Sequence, residues 1–169
     1  MSYEIIGGTH DLLINKTLAV AIQANLQKIG GVIYSPEEVI YAKKMQPTFY
    51  GKLVSIDSAA VVKALHTEKN LGSTDVGDVS YAVPTVGMGA ATWVPGTSAH
   101  SWQDAACGGT DIGIKGMIVA AKTIAFTAID LFLNPVLIRK AKEEFVQSKG
   151  SYQYKALLGD RKPALNYRD

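Results

Sequence analysis

His10, His66 and His100 are the only imidazoles in the 169-residue chain, and Cys107 is its only thiol. Hydrolytic metal chemistry needs several His and carboxylate ligands that converge on the ion, with a general base beside them. The spacings that build such sites along one element (H-x-x-x-H, H-x-H, H-x-D, C-x-x-C) do not occur. The closest aspartate pair is Asp75 and Asp78, in GSTDVGDVS. Spacing alone therefore supports no metal site. Ser73, Thr74 and Asp75 fit two roles, orienting a substrate or capping their own turn through side chain to backbone hydrogen bonds. Asp78 suits a helix start or a supporting contact behind such a site. Gly87 and Gly89 lack the third glycine and following helix of a phosphate loop, so close packing of backbone against a neighbour is the better account. Cys107 has no histidine in a nucleophile motif and is expected to be buried and inert.

The elements that must position these residues are legible in caps and periodicity. Tyr3–Ile6 is a short β-prone run closed by Gly7-Gly8. Asn15 can cap a helix with Leu18, Ile22, Leu26 and Ile29 on one stripe, stopped by Gly30-Gly31. Ser35-Pro36-Glu37-Glu38 carries a capping box with proline at the first helical position, and its helix is expected to reach about Gln46, ahead of Pro47. A short helix from Asp57 to Leu65 is expected. Val79–Val83 alternates weakly, and Thr85–Ala91 reads as a buried strand of small residues. Residues 93–107 begin as loop and turn helical, with Trp102 and Gln103 either walling a pocket or starting that helix. Ile114, Met117, Ile118, Ala121, Ile124, Ala125, Ala128, Leu131 and Phe132 recur at helical spacing. Asn134-Pro135 ends that run and starts a last helix through Lys149, and residues 150–169 read as a surface tail. The order of elements suggests an α/β fold with too few strands for a complete doubly wound sheet.

Composition excludes several classes. With 47% hydrophobic and 19% charged residues, the chain suits one domain with a sizeable core. The net charge is +2, and its basic excess lies in residues 134–169, eight Lys and Arg against four Asp and Glu. No dense basic cluster with interleaved aromatics suggests nucleic acid. One cysteine allows no intrachain disulfide and points to a reducing compartment. The start, Met1-Ser2-Tyr3-Glu4, does not read as a signal peptide. The most apolar window, Met117–Leu133, is broken by Lys122 and Asp130, which favours a core helix over a membrane span. A soluble, cytoplasmic protein is expected.

Residues 72–103, GSTDVGDVSYAVPTVGMGAATWVPGTSAHSWQ, closely resemble the C-terminal motif block of the M20 family of metal-dependent amidohydrolases, in its aminobenzoyl-glutamate utilisation branch. GGTHDLLINKTLAVAIQANLQKIGG is similar to that branch's exit from the lid (dimerisation) domain, and HSWQDAACGGTDIGIKGMIVAAKTIAFTAIDLF to its last major helix. The resemblance implies a partial zinc-exopeptidase-like α/β catalytic domain. Residues 1–14 would be the remnant of the lid with its last strand, 15–149 the C-terminal part of the catalytic domain, and 150–169 the tail.

In that family two divalent metals, usually zinc or manganese, bridge a water that a glutamate base deprotonates for attack on an amide carbonyl. The resemblance puts the last metal ligand on His100, with Ser73, Thr74, Asp75, Asp78 and Ser101 binding substrate or supporting the site. The other ligands and the base belong to segments preceding the lid, so no catalytic base is expected within this chain, and metal binding by it alone is expected to be weak or absent. The implied substrate is a small N-acyl or N-aroyl amino acid. His10 and His66 match no ligand motif and read as lid-strand packing and surface. The chain alone is expected to be inactive and either to self-associate through exposed apolar surface or to complete a site with a partner subunit. The alternative is a non-enzymatic truncated module, or a subunit that completes a site with a partner chain.

Overall fold

A computed structural model describes residues 3, 5–68, 72, 74–160 and 162. Six α-helices form among them. Asn15 sets α1 (Lys16–Ile29) in two ways: its Oδ1 accepts from Leu18 N at 3.0 Å, and its Nδ2 donates to the Ala141 carbonyl at 2.8 Å. The first amides of α1 find a partner in the Glu144 carboxylate, at 2.7 Å from Lys16 N and 2.9 Å from Thr17 N. A carboxylate there satisfies orphan donors and sits at the positive end of the helix dipole. Gly30, at φ 86°, ends the helix.

Helix α2 (Pro36–Met45) has the expected capping box between Ser35 and Glu38, and Glu38 also takes Lys115 Nζ at 2.6 Å. Helix α3 (Val76–Ser80) is one turn. Helix α4 (Trp102–Gly108) starts at a second capping box, Ser101 with Asp104. Helix α5 (Asp111–Leu133) is the longest, and α6 (Pro135–Lys149) is capped by Asn134, whose Oδ1 accepts from Leu137 N at 3.2 Å.

Helices α1, α5 and α6 pack on one another. Leu18 and Ile22 are buried in α1, and Asn25, also buried, donates to Thr127 Oγ1 (3.2 Å) and Asp130 Oδ2 (2.7 Å) of α5. A second core joins Ala42 and Met45 of α2 to Val94, Cys107 and Ile112, with Tyr34, Tyr41 and Trp93 against it. Burial pushes the Tyr34 phenol up to about 12, with Cys107 and Glu38 adding to the shift. Cys107 is buried, as expected.

The architecture departs from the α/β expectation. The described residues form helices, turns and loops and no strand, so Thr85–Ala91 is not in the expected strand, nor are Tyr3, Ile5 and Ile6 of the expected lid strand, whose Glu4 lies outside the described residues. A strand is held by hydrogen bonds to a neighbour, and an isolated one has nowhere to place its backbone groups. Val79–Val83, expected to alternate, instead closes α3 and a turn, with Ala82 N and Val83 N bonded to the Val79 carbonyl. The helix expected over Asp57–Leu65 shrinks to a 3-10 turn, Ile56–Ala60, without a side-chain cap, because β-branched Val61 and Val62 follow it. Gly87 and Gly89 do not pack closely: a Cβ there would meet nothing within 4 Å. The glycines with no room for a Cβ include Gly77, against the His10 carbonyl, Gly113, against the Gly108 carbonyl, Gly116, against the Ala91 carbonyl, and Gly31, where a Cβ would sit 2.5 Å from Ala59 O.

On α5 the buried residues are Ile112, Gly113, Gly116, Thr123 and Thr127. The apolar stripe read from the sequence faces outward: Met117 is 55% exposed, Ile124 57% and Phe132 85%. Among the described residues α5 is the one helix long and apolar enough to cross a membrane. Its packed face, however, buries Thr123 and Thr127 and carries Thr127 and Asp130 against Asn25 of α1, the pattern of a helix seated on protein.

Candidate functional site

His100 lies on a loop held at both ends. On one side Thr97 caps a turn, its N–H and Oγ1 reaching the Val94 carbonyl at 3.1 and 2.7 Å, and Gly96 adopts φ 97°. On the other side Ser101 donates to the Ser98 carbonyl at 2.6 Å and accepts from Asp104 N at 3.3 Å, while Asp104 accepts from Ser101 N at 3.2 Å. His100 itself sits at φ 59°, the one non-glycine residue at positive φ among those described, and its side chain is exposed. A residue in the left-handed region costs about 1–3 kcal/mol unless its surroundings impose it, and such residues gather at functional sites. Here the Thr97 turn and the α4 capping box impose it. The Ser101 hydroxyl, next to His100 in the chain, is thus engaged with the Ser98 carbonyl and the α4 cap.

The acidic motif is placed differently. Ser73 lies outside the described residues. Thr74 Oγ1 accepts from Val76 N at 3.3 Å, the local capping role weighed against substrate binding. Asp75 occupies the N-cap of α3, but its carboxylate makes no capping bond and is exposed. No hydrogen bond or ion pair among the described residues joins His100 to Thr74, Asp75 or Asp78.

Asp78 meets His10 instead. Its Oδ1 is 2.7 Å from His10 Nδ1, and its Oδ2 accepts from His10 N at 3.4 Å. Tyr154 donates to the same carboxylate at 3.1 Å, and Tyr152 OH lies 2.8 Å from His10 Nε2. With Asp78 ionised, Nδ1 carries the hydrogen, and in the neutral ring Nε2 accepts from Tyr152. The rings of Tyr81, Tyr152 and Tyr154 surround the imidazole at centroid distances of 5.2, 5.9 and 5.4 Å. The hydrogen bond from His10 holds the Asp78 carboxyl below its usual range, with Tyr154 contributing against a burial effect of opposite sign. His10 is thus the centre of a polar cluster, not strand packing. Local spacing could not have revealed it, because its members are 68 and 142 residues apart.

His66 is at the surface, as expected, bonded to the Ala64 carbonyl and 3.4 Å from Glu68, contacts that raise its pKa. It lines a groove of about 890 Å³ together with residues 87–97 and part of α1. Trp102, the first residue of α4, is exposed, whereas Gln103 is buried and donates to the Thr48 carbonyl at 2.9 Å.

A two-metal centre does not fit this donor set taken alone. Among the described residues no three His, Cys, Asp or Glu side chains converge, and the carboxylate nearest His100 in sequence, Asp104, is engaged in capping α4. Zinc sites draw on three or four protein ligands, and His100 supplies one.

No family model matches this chain, and no solved structure matches it. The chain is similar to a p-aminobenzoyl-glutamate hydrolase subunit of Escherichia coli (strain K12), with 31% identity over 167 residues, 84% of this chain and 35% of that protein. It therefore spans about a third of that relative's length. The resemblance drawn from residues 72–103 and their flanks is borne out by this similarity.

Proposed function

We propose that this chain forms the C-terminal part of the catalytic domain of a cytoplasmic, M20-type metal-dependent amidohydrolase, and that it contributes His100 to a metal site completed by other polypeptide. The reaction class is hydrolysis of the amide joining an acyl or aroyl group to an amino acid, with p-aminobenzoyl-glutamate, the compound in the relative's name, as the first substrate to test. The observation that carries this reading is the likeness to that hydrolase over 84% of the chain. The geometry at His100 supports it: an exposed imidazole held at positive φ between two capped turns. Thr74 and Asp75 are proposed to face substrate, and Ser101 to hold His100 in place. Among the described residues no three His, Cys, Asp or Glu side chains converge, and the metal pair and the base are proposed to come from the completing polypeptide.

The exposed apolar face of α5 and the open space beside Gly87 and Gly89 favour completion by further polypeptide, whether in the same chain or as a separate partner. Segment 85–91 would gain its strand neighbours there, and the α/β sheet would form. A non-enzymatic module is the second reading, and the same open surfaces would then bind a partner without turnover.

A chimera in which this chain replaces the matching third of the E. coli protein tests the proposal. Release of p-aminobenzoate is expected with His100 and lost with His100→Ala. A chimera that folds and turns over equally with either residue would overturn the assignment.

A further inference from the structure

We propose that the segment after α6 is a strap that positions α3, and with it the Thr74–Asp75 turn, by gripping the His10–Asp78 pair with Tyr152 and Tyr154. The functional half of this inference rests on the reading of that turn as part of a hydrolase site.

Helix α3 cannot hold itself. It has five residues, and a single turn fixes many dihedrals for few hydrogen bonds, so isolated turns are unstable. Its N-cap carboxylate makes no capping bond. Its place is set from outside. Leu13 N donates to Ser80 Oγ at 2.8 Å, Gly77 lies against the His10 carbonyl so closely that no Cβ fits, and Asp78 is bound by His10.

Residues 5–14 have no regular structure either, so His10 needs its own anchor. The tail supplies it. Gly150, at φ 56°, turns the chain at the end of α6, and Tyr152 N bonds to the Lys149 carbonyl at 3.2 Å. The Tyr152 hydroxyl then meets His10, that of Tyr154 meets Asp78, and Leu157 packs on Gly8, where a Cβ would lie 3.2 Å from its own Cβ. Tyr152 follows closely on Lys149, the last residue of α6. The cluster is therefore tied to α6, which Asn15 and Glu144 bond to α1. Rigidity passes from the α1–α6 pair through the strap to α3. Tyr152, Tyr154 and His10 act as positioning residues: they touch the helix beneath the site, not the site.

The test replaces both phenols, Tyr152→Phe and Tyr154→Phe, which removes the hydroxyls and keeps the rings. Hydrogen exchange on the chain reads the consequence directly. Amides of 74–81 are expected to exchange about tenfold faster, with α1 and α5 unchanged, because the opening is local. Faster exchange confined to 150–160, or equal acceleration everywhere, would overturn the strap. In the chimera the double variant is expected to raise KM about tenfold with kcat within about twofold, the mark of weakened substrate positioning. A fall in kcat at unchanged KM would overturn the positioning role, and so would native KM with α3 loosened. A native chimera without activity would remove the hydrolase reading, while the exchange experiment would still decide whether the strap holds α3.

Discussion

His10 Nδ1 and Asp78 Oδ1 are 2.7 Å apart across 68 residues of chain, and the backbone of His10 rests on Gly77, the residue before Asp78. The side-chain bond and the backbone contact lock the same two segments together. The sequence distance between them is closed by the cap of α1 on one side and the turn of α3 on the other.

That contact leaves no room for a side chain at Gly77. Gly77→Ala is expected to push residues 10–11 away from α3 and to lengthen the His10–Asp78 bond. Overpacking of this kind costs about 1–3 kcal/mol. Urea unfolding should show the loss, and hydrogen exchange should place it at 8–14 and 74–81. Gly87→Ala, which meets open space, is the control and should be close to neutral in the chain alone.

Acid should loosen the fold through two carboxylates. Glu144 is held below its ordinary value of 4.5: burial pushes it up, but hydrogen bonds from Thr17 and Lys16 outweigh that. Asp78 is held below 3.8, chiefly by its bond from His10. A depressed folded-state pKa means the unfolded chain binds protons first, so the stabilisation is complete above the ordinary value and is lost as pH falls through the folded one. Stability is therefore expected to drop below about pH 4.5. Glu144→Gln should be less stable at neutral pH and should flatten the acid limb. An acid limb identical to that of the native chain would remove Glu144 from the account.

Metal binding by the chain alone should be weak. Among the described residues no three His, Cys, Asp or Glu side chains gather, and the His100 imidazole alone offers a fraction of the three or four ligands of a tight zinc site. Calorimetry with zinc at neutral pH is expected to show affinity no better than about micromolar for such a ligand set. A stoichiometric nanomolar site would mean that side chains regroup around His100.

Caps are the most legible part of the sequence. Asn15, Ser35 and Asn134 each start a helix as expected, because a capping side chain bonds within three residues of itself, whereas the Ser101 cap of α4 is seen only in the structure. Helix α5 was legible as a helix, but its buried face was not: Gly116, Thr123 and Thr127 turn inward while Met117, Ile124 and Phe132 face out. Periodicity shows where apolar residues cluster, not whether this chain supplies a partner to cover them. The strand at Thr85–Ala91 failed for the same reason, since ladder partners are a property of the neighbour. At the candidate site, the His100 loop could be placed from its motif. The His10 cluster depends on contacts across 68 and 142 residues, which no local pattern encodes.

The exposed face of α5 leads to the last prediction. Met117, Ile124, Phe132 and Leu133 lie along one helix with at least half of each surface in water, and Phe126 and Ile129 are about half exposed beside them. Monomeric soluble proteins seldom leave a contiguous apolar patch larger than about a few hundred Å² open. The chain alone is therefore expected to self-associate through α5, more so as concentration rises. Light scattering coupled to gel filtration over a tenfold concentration range should show mass climbing above 18.1 kDa. The double variant Ile124→Glu, Phe132→Glu should restore the monomer without unfolding it, since neither side chain is buried. Association through the open backbone at 85–91 would leave that variant as oligomeric as the native chain, and it would respond instead to Gly89→Pro, which removes a backbone donor. A native chain that stays monomeric throughout and binds no hydrophobic dye would show that the α5 face is covered by the chain's own residues in solution.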